Sequence, residues 1–464
     1  MQKPYLTSEN PDSKLFHQHL SKFSCLMIGI GGLIGGGIFS VIGVISTFSG
    51  PYSYISYLIT GIVALLTVYS YQKLTSKWCN PGGEYTCIQG ALSGTKFQNL
   101  GPFVGILLIF GYISSMALYS YTFSIYFLLL FNLRFNIFLI ALIITLLFTF
   151  FILVNLKGVK ESSRIQNLFV LIKIFILIAF SIFGIVFALQ NPIQLITNVG
   201  LNFGSISNIN FFGLILGSSL IIVSYQGFQL ITYGVYEMEE REGGLKMMKW
   251  SLVISLIIYC SVAFTSLAVL GVSELIGDHT HDAEVAIAIA ALNFMGKYGM
   301  VIMIIGVLLS TASALNATLL GSSRLAYILA KNRILPNLFS KISRNKVPQN
   351  SIIMIGLLSI TLTILTGGAL SIAGVAGLIF SQIFLIINFT NFKARKQTNS
   401  NNIYPLLGIT INLFFFLVLI IYSFLNIKQE VFSLISFLLM ECVSLFFVLH
   451  INHKNNIRTL NLKL

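Results

Sequence analysis

The chain reads as an all-helical integral membrane protein of twelve transmembrane helices. Spans one to ten form a five-plus-five inverted repeat in which helices one and six are broken, and two accessory helices follow. Three observations carry this expectation. Apolar runs long enough to cross a bilayer recur twelve times, Lys and Arg alternate from one side to the other, and two runs five spans apart are interrupted at their centres.

Composition sets the class. Of 464 residues, 56% are hydrophobic and only 9% charged, with a mean hydropathy of +0.88, which excludes a soluble protein. The formal net charge of +14 is spread through short connections rather than gathered on one domain, so it reads as a topology signal and not as a nucleic-acid surface. Cys25, Cys79, Cys87, Cys260 and Cys442 show no metal-ligand spacing, and no disulfide framework is supported. Residues 1–23 are polar, carry no cleavage motif and read as a cytoplasmic tail.

Runs of about 20 apolar residues, the length that crosses a ~30 Å hydrocarbon core, centre on 24–48, 52–71, 101–131, 136–155, 165–189, 211–236, 250–271, 299–328, 351–366, 369–391, 404–425 and 430–450. The basic residues test this layout. Arg134, Lys297 and Lys428 fall in outer connections, Lys173 and Arg324 within spans, and every other Lys and Arg in a tail or a connection after an even-numbered span. Both termini are therefore expected in the cytoplasm of a multi-pass protein of the cell membrane. Residues 24–391 would form a transport core, 392–450 the accessory spans and 451–464 a C-terminal tail. The longest outer connection, 272–298, holds an apolar patch at 283–294 that lies either across the outer mouth or along the interface.

Span one contains Gly-Ile-Gly-Gly-Leu-Ile-Gly-Gly-Gly-Ile-Phe from Gly29 to Phe39. Three consecutive glycines cost roughly 1 kcal/mol each against Ala, so the helix is expected to break there. Irregular backbone at membrane depth survives only where it lines a cavity or is buried in protein, which makes the break a binding-site candidate. Close packing by small residues is the alternative. Span six is interrupted by Ser224-Tyr225-Gln226-Gly227-Phe228-Gln229. Two facing breaks expose N–H groups at one half-helix end and carbonyls at the other, which suit a carboxylate and an ammonium. A zwitterionic amino acid carries both.

At this point the chain resembles amino acid permeases of the amino acid–polyamine–organocation transporter superfamily. The resemblance rests on residues 31–39, on Asn-Pro-Gly-Gly-Glu-Tyr at 80–85, and on residues 313–336, the longest and most specific stretch. It implies the leucine-transporter-like repeat and secondary active uptake or exchange of amino acids. By that resemblance Gly35, Gly36 and Gly37 bind the substrate carboxylate and the Leu33 carbonyl its ammonium, with Val223, Ser224, Tyr225, Gln226 and Gly227 as span-six counterparts and Tyr225 or Phe228 as a gate. Relatives often have Ser where this chain has Gly36, and an acid where it has Gln229. Homodimers occur among such relatives.

Lys173 lies deep in span five, where a charge costs on the order of 3 kcal/mol and must face the protein interior. By the resemblance it replaces a sodium ion between spans one, five and eight and couples transport to protons, with the carbonyls of Gly29 and Ile30 and the hydroxyls of Ser310 and Thr311 as neighbours. A snorkelling lysine is the alternative. Glu237 and Arg324 form a candidate inner gate pair. The face of Gly111, Ser114, Ser115 and Tyr119 in span three either lines a pocket or packs helices. No carboxylate falls inside the expected site, which favours neutral amino acids over cationic ones and polyamines. The leading reading is a proton-coupled importer of neutral amino acids in the lipid bilayer, without cofactor or metal; the runner-up is a sodium- and proton-independent exchanger of the same fold. No charged ring or filter repeat suggests a channel, and no paired acids, histidine cluster or nucleophile motif within the spans suggests an enzyme.

Overall fold

A computed structural model describes residues 21–78, 81–157, 159–200, 210–235, 238, 240–277, 282–343, 345, 347–366 and 368–461, the side chains of 159–165, 282, 427–429 and 451–461 excepted. Among these residues every regular element is a helix, and twelve segments are long and apolar enough to cross a membrane.

Span one comprises Lys22–Leu33, Gly36–Phe39 and Ile42–Ser49, and span two is Ser53–Lys77. A connecting helix, Gly83–Ala91, leads to span three, Leu100–Leu130, and span four, Ile137–Lys157. Span five is Val159–Gln190. Span six is built from Phe211–Leu220 and the 3₁₀ segments Ile221–Tyr225 and Phe228–Tyr233. Spans seven and eight are Arg241–Ile276 and Asp282–Lys331. Gln349–Thr366, Ala369–Lys393, Ile403–Leu425 and Ile427–Asn461 complete the set. Spans two, seven and eight overrun their apolar runs, because a helix does not stop where hydrocarbon stops.

The central helices are buried all round. In span three Tyr112, Ser114, Ser115, Tyr119 and Thr122 are all sealed from solvent and lipid. Spans four, five, nine, eleven and twelve turn apolar side chains outward, as Leu146, Phe175, Leu365, Leu417 and Phe446 do, which is the surface hydrocarbon requires. The apolar patch before span eight is not interfacial. Span eight bends at Gly296 (φ 66), and Ala286, Ile287, Ala290 and Ala291 ahead of the bend are fully buried within the protein. Tyr121 Oη and the Ala369 N–H both donate to Glu284 there, at 3.2 Å each, tying the segment to spans three and ten.

The connecting helix packs on the same end of the bundle as the inner half of span six. Gly83 begins it with φ +53, and a Cβ there would sit 2.5 Å from the Tyr233 ring, so both the turn and the contact demand glycine.

Candidate substrate and coupling site

Span one leaves helical geometry at Ile34 (φ −80, ψ 84) and Gly35 (φ −120, ψ −140) and resumes at Gly36. The break thus falls one residue earlier than the Gly triplet's centre. Carbonyls of the last helical turn lose their acceptor role in the helix and must be satisfied otherwise, since no water reaches a sealed interior. All four are accounted for. Lys173 Nζ donates to Gly31 O at 3.2 Å and to Ile34 O at 2.5 Å. Tyr119 Oη donates to Gly32 O at 3.3 Å, and Tyr259 Oη donates to Leu33 O.

Span six breaks at Gln226 (φ −79, ψ 144) and Gly227 (φ 133, ψ −33). Gln229 holds the new helical start, its Oε1 accepting the Gly227 N–H at 2.7 Å, while its Nε2 donates to Gln226 Oε1 at 3.3 Å. The residue that departs from an acidic pattern therefore caps the break from within. Gln226 Nε2 donates to Tyr119 Oη, so one tyrosine of span three links both interruptions. Tyr259 of span seven does the same: its single hydroxyl proton is shared between Leu33 O and, at 2.9 Å, Ser224 O.

The breaks touch. A Cβ on Gly227 would fall 2.5 Å from Leu33 N and 2.6 Å from Gly32 O, backbone against backbone, at a φ that L side chains avoid. Gly35 and Gly36 press on Tyr119, Ala314 and Thr122, and Gly37 on Ser224. Close packing and backbone interruption thus coexist at the same glycines. The first-turn N–H groups of Gly36–Phe39 have no intrahelical acceptor, and nearby the buried Ser224 Oγ has no hydrogen-bond partner among the described residues.

Around this centre, Val223 is buried in the 3₁₀ turn. Tyr225 Oη donates to Tyr57 O at 2.8 Å, and Phe228 packs edge-on against Tyr71 with ring centroids 5.2 Å apart. Of the span-three face, Tyr119 reaches the site, whereas Gly111 packs on Ile379 and Phe380, and Ser114 and Ser115 donate to carbonyls of their own helix.

Lys173 crosses from span five to spans one and eight, fully buried. Its hydroxyl neighbour differs from expectation. Ser313 Oγ accepts from Lys173 Nζ at 3.0 Å and donates to Ser310 O at 2.9 Å. The Thr311 hydroxyl donates to Val307 O, and Ser310 Oγ makes no hydrogen bond among the described residues. Ser310 and Ser313 lie one turn apart on one helix face, and the carbonyls facing the ammonium are likewise those of Gly31 and Ile34 rather than Gly29 and Ile30.

Glu237 lies outside the described residues, so its pairing with Arg324 has no geometry to report. Arg324 Nη1 donates to Tyr233 O at 3.1 Å, at the inner end of span six. A different acid sits there. Glu84, on the connecting helix, is fully buried and accepts from Tyr233 Oη at 2.6 Å and from Tyr112 Oη at 3.2 Å. Burial pushes its carboxyl up to about 7, against the opposing pull of the tyrosine bonds. The motif containing Glu84 was visible in the sequence, but nothing local marked its carboxylate as buried.

The family model described as amino acid permease matches residues 20–448. An uncharacterized protein of Methanocaldococcus jannaschii is 28% identical over 426 residues, covering 91% of this chain and 93% of that one. The methylthioribose transporter of Bacillus subtilis is 25% identical over 363 residues, 73% of each chain. The branched-chain amino acid permease of Bacillus subtilis is 22% identical over 361 residues, 74% of each. With twelve apolar helices and a match spanning nearly its whole length, this multi-pass membrane protein belongs to the amino acid permease family.

Proposed function

We propose that the protein imports neutral amino acids across the cell membrane, both termini in the cytoplasm, and that Lys173 couples the import to protons. The observation that carries the reading is the pair of touching breaks in spans one and six, with helix-start N–H groups and a Ser224 hydroxyl unpartnered among the described residues on one side, and on the other the Leu33 and Ser224 carbonyls, both reached by the Tyr259 hydroxyl. The substrate carboxylate meets the N–H groups of Gly36 and Gly37 at a helix start. Its ammonium replaces the Tyr259 hydroxyl at Leu33 O and Ser224 O. Gly35, Val223, Tyr225, Gln226 and Gly227 shape the wall, and Phe228 with Arg324 lies on the cytoplasmic path. Ten spans arranged as two inverted repeats would relate the two breaks.

A neutral side chain is favoured because no carboxylate stands among the described residues that form the breaks; Glu84, bonded to Tyr112 and Tyr233, is committed elsewhere. Lys173 sits among oxygens from two other spans, the arrangement a bound cation would have, and a proton taken on or lost there changes the charge of that joint directly.

Uptake of labelled neutral and cationic amino acids into proteoliposomes tests this, with and without an inside-alkaline gradient, for wild type and Lys173→Ala. Accumulation of neutral amino acids is expected only with the gradient, and Lys173→Ala should abolish accumulation while still binding substrate. Transport that ignores pH, needs an amino acid on the far side and survives the substitution would make the protein an exchanger.

A further inference from the structure

The cytoplasmic end of the molecule, in the orientation proposed above, holds a carboxylate that substrate binding and Lys173 do not use. Glu84 joins three elements that are not neighbours in sequence: its own connecting helix, Tyr112 of span three and Tyr233 of span six. Arg324 of span eight adds a fourth by donating to Tyr233 O. The other titratable side chains at the cluster are Tyr71 of span two and Cys87 of the connecting helix. Span ten faces it with the Phe380 ring, 6.1 Å from that of Tyr112.

The inner halves of spans one and six meet just beside this cluster. Cys25, fully buried in Lys22–Leu33, lies 3.1 Å from the sulfur of Met238, which follows the inner half of span six. Any motion that opens the cytoplasmic side by parting these halves must carry Tyr233 away from Glu84 or drag the connecting helix with it.

We propose that Glu84 is a second proton site of the transporter, seated in a clasp that closes its cytoplasmic side. With the clasp closed, Glu84 is sealed from water and holds a proton. Opening admits water, the carboxyl returns to its ordinary behaviour, and the proton leaves to the cytoplasm. The inference rests on the transporter reading and on the cytoplasmic orientation, not on coupling through Lys173.

The sign follows from linkage. A carboxyl near 7 in the closed state and near its ordinary 4.5 in the open state binds its proton more tightly when closed. Low pH therefore favours closure and rising pH favours opening. From about pH 5.5 to about pH 8, the open-to-closed ratio should rise about 25-fold.

Cys25 reports the opening. In full-length protein carrying Cys79→Ala, Cys87→Ala, Cys260→Ala and Cys442→Ala, the rate at which a membrane-impermeant maleimide labels Cys25 from the cytoplasmic side is measured across pH. Each rate is divided by that of the unfolded protein at the same pH, which removes the thiol's own titration. Labelling should climb with pH in this background. In Glu84→Gln, which keeps the tyrosine bonds but cannot ionise, it should stay slow and flat. Tyr233→Phe, which removes the shorter bond and leaves the acid, should label faster at every pH and keep a pH dependence. A Glu84→Gln protein whose normalised profile matches the background overturns the proposal, and so does a Tyr233→Phe protein that labels no faster. No transport is read, so loss of the Lys173 mechanism would leave both outcomes interpretable.

Discussion

Gly37→Ala should separate the two breaks. A Cβ on Gly37 lands on the Ser224 hydroxyl and lies 2.8 Å from Ser224 Cβ and 2.9 Å from its Cα. Ordinary carbon contacts need about 3.5 Å or more, so the backbones of spans one and six must part by roughly half an ångström to one ångström. Overpacking of this kind costs about 1–3 kcal/mol, offset by up to ~1 kcal/mol because Ala is the better helix former. The net loss of about 1–2 kcal/mol is small for a chain of this size, and the melting temperature in detergent should drop by only a few degrees. Transport should suffer far more, because the displaced groups are the N–H groups and carbonyls proposed to hold the substrate; a 1 Å misplacement of positioned groups costs on the order of 10²-fold. Ser224→Gly removes the hydroxyl and the Cβ from the contact, and the double variant should recover a large part of the lost uptake. Wild-type uptake in Gly37→Ala, or no recovery in the double variant, would refute the proposed closeness of these two segments and their shared role.

Other substitutions test neighbouring features. Tyr259→Phe removes the donor from Leu33 O and Ser224 O; at about 1 kcal/mol for a competing bond, the KM for substrate should fall about fivefold, and a rise would mean that the hydroxyl supports the site instead of yielding it. Gly227→Ala sets a Cβ against the span-one backbone at φ +133, with nothing flexible to yield, and should abolish folded protein in size-exclusion profiles, whereas Gly368→Ala, at an extended φ of −165 with no atom within 4 Å, should leave it. The exposed pair Lys22–Glu240, 2.5 Å apart, holds the Glu240 carboxyl below its usual range, so its contribution is present at neutral pH and fades as pH falls. Lys22→Gln should leave the melting temperature at neutral pH unchanged within error.

How much of this was legible in the sequence differs from residue to residue. The spans were, because twenty apolar residues in a row have few other uses. The span-six break at Gln226 and Gly227 was marked by its own polar and Gly content, and that of span one by its glycines, though a triplet does not say which glycine leaves the helix and which restarts it. Ile34 takes part in the break without any signal, because Gly36 and Gly37 are tolerated in a first turn once packing against Ser224 and Thr122 demands small residues. The depth of Lys173 was readable, yet its hydroxyl partner was misplaced by a turn, from Ser310 to Ser313. Periodicity places both serines on one face of span eight but says nothing of how far that helix slides along span five.

Tyr119, Tyr259 and Glu84 show why the remainder was hidden. A broken helix inside a membrane leaves a fixed number of carbonyls without partners, and the surroundings must supply a donor for each. The break in span one therefore foretells that polar side chains will converge on Gly31, Gly32, Leu33 and Ile34. It does not name them, since the donors come from spans three, five and seven, whose own sequences are unbroken. A tyrosine on such a helix reads as an ordinary aromatic until its hydroxyl is seen to end on a carbonyl. On the proposed function the same hydroxyls would make the site convertible: a side-chain donor that holds a carbonyl can be exchanged for a substrate ammonium, which an intrahelical N–H locked into its ladder cannot.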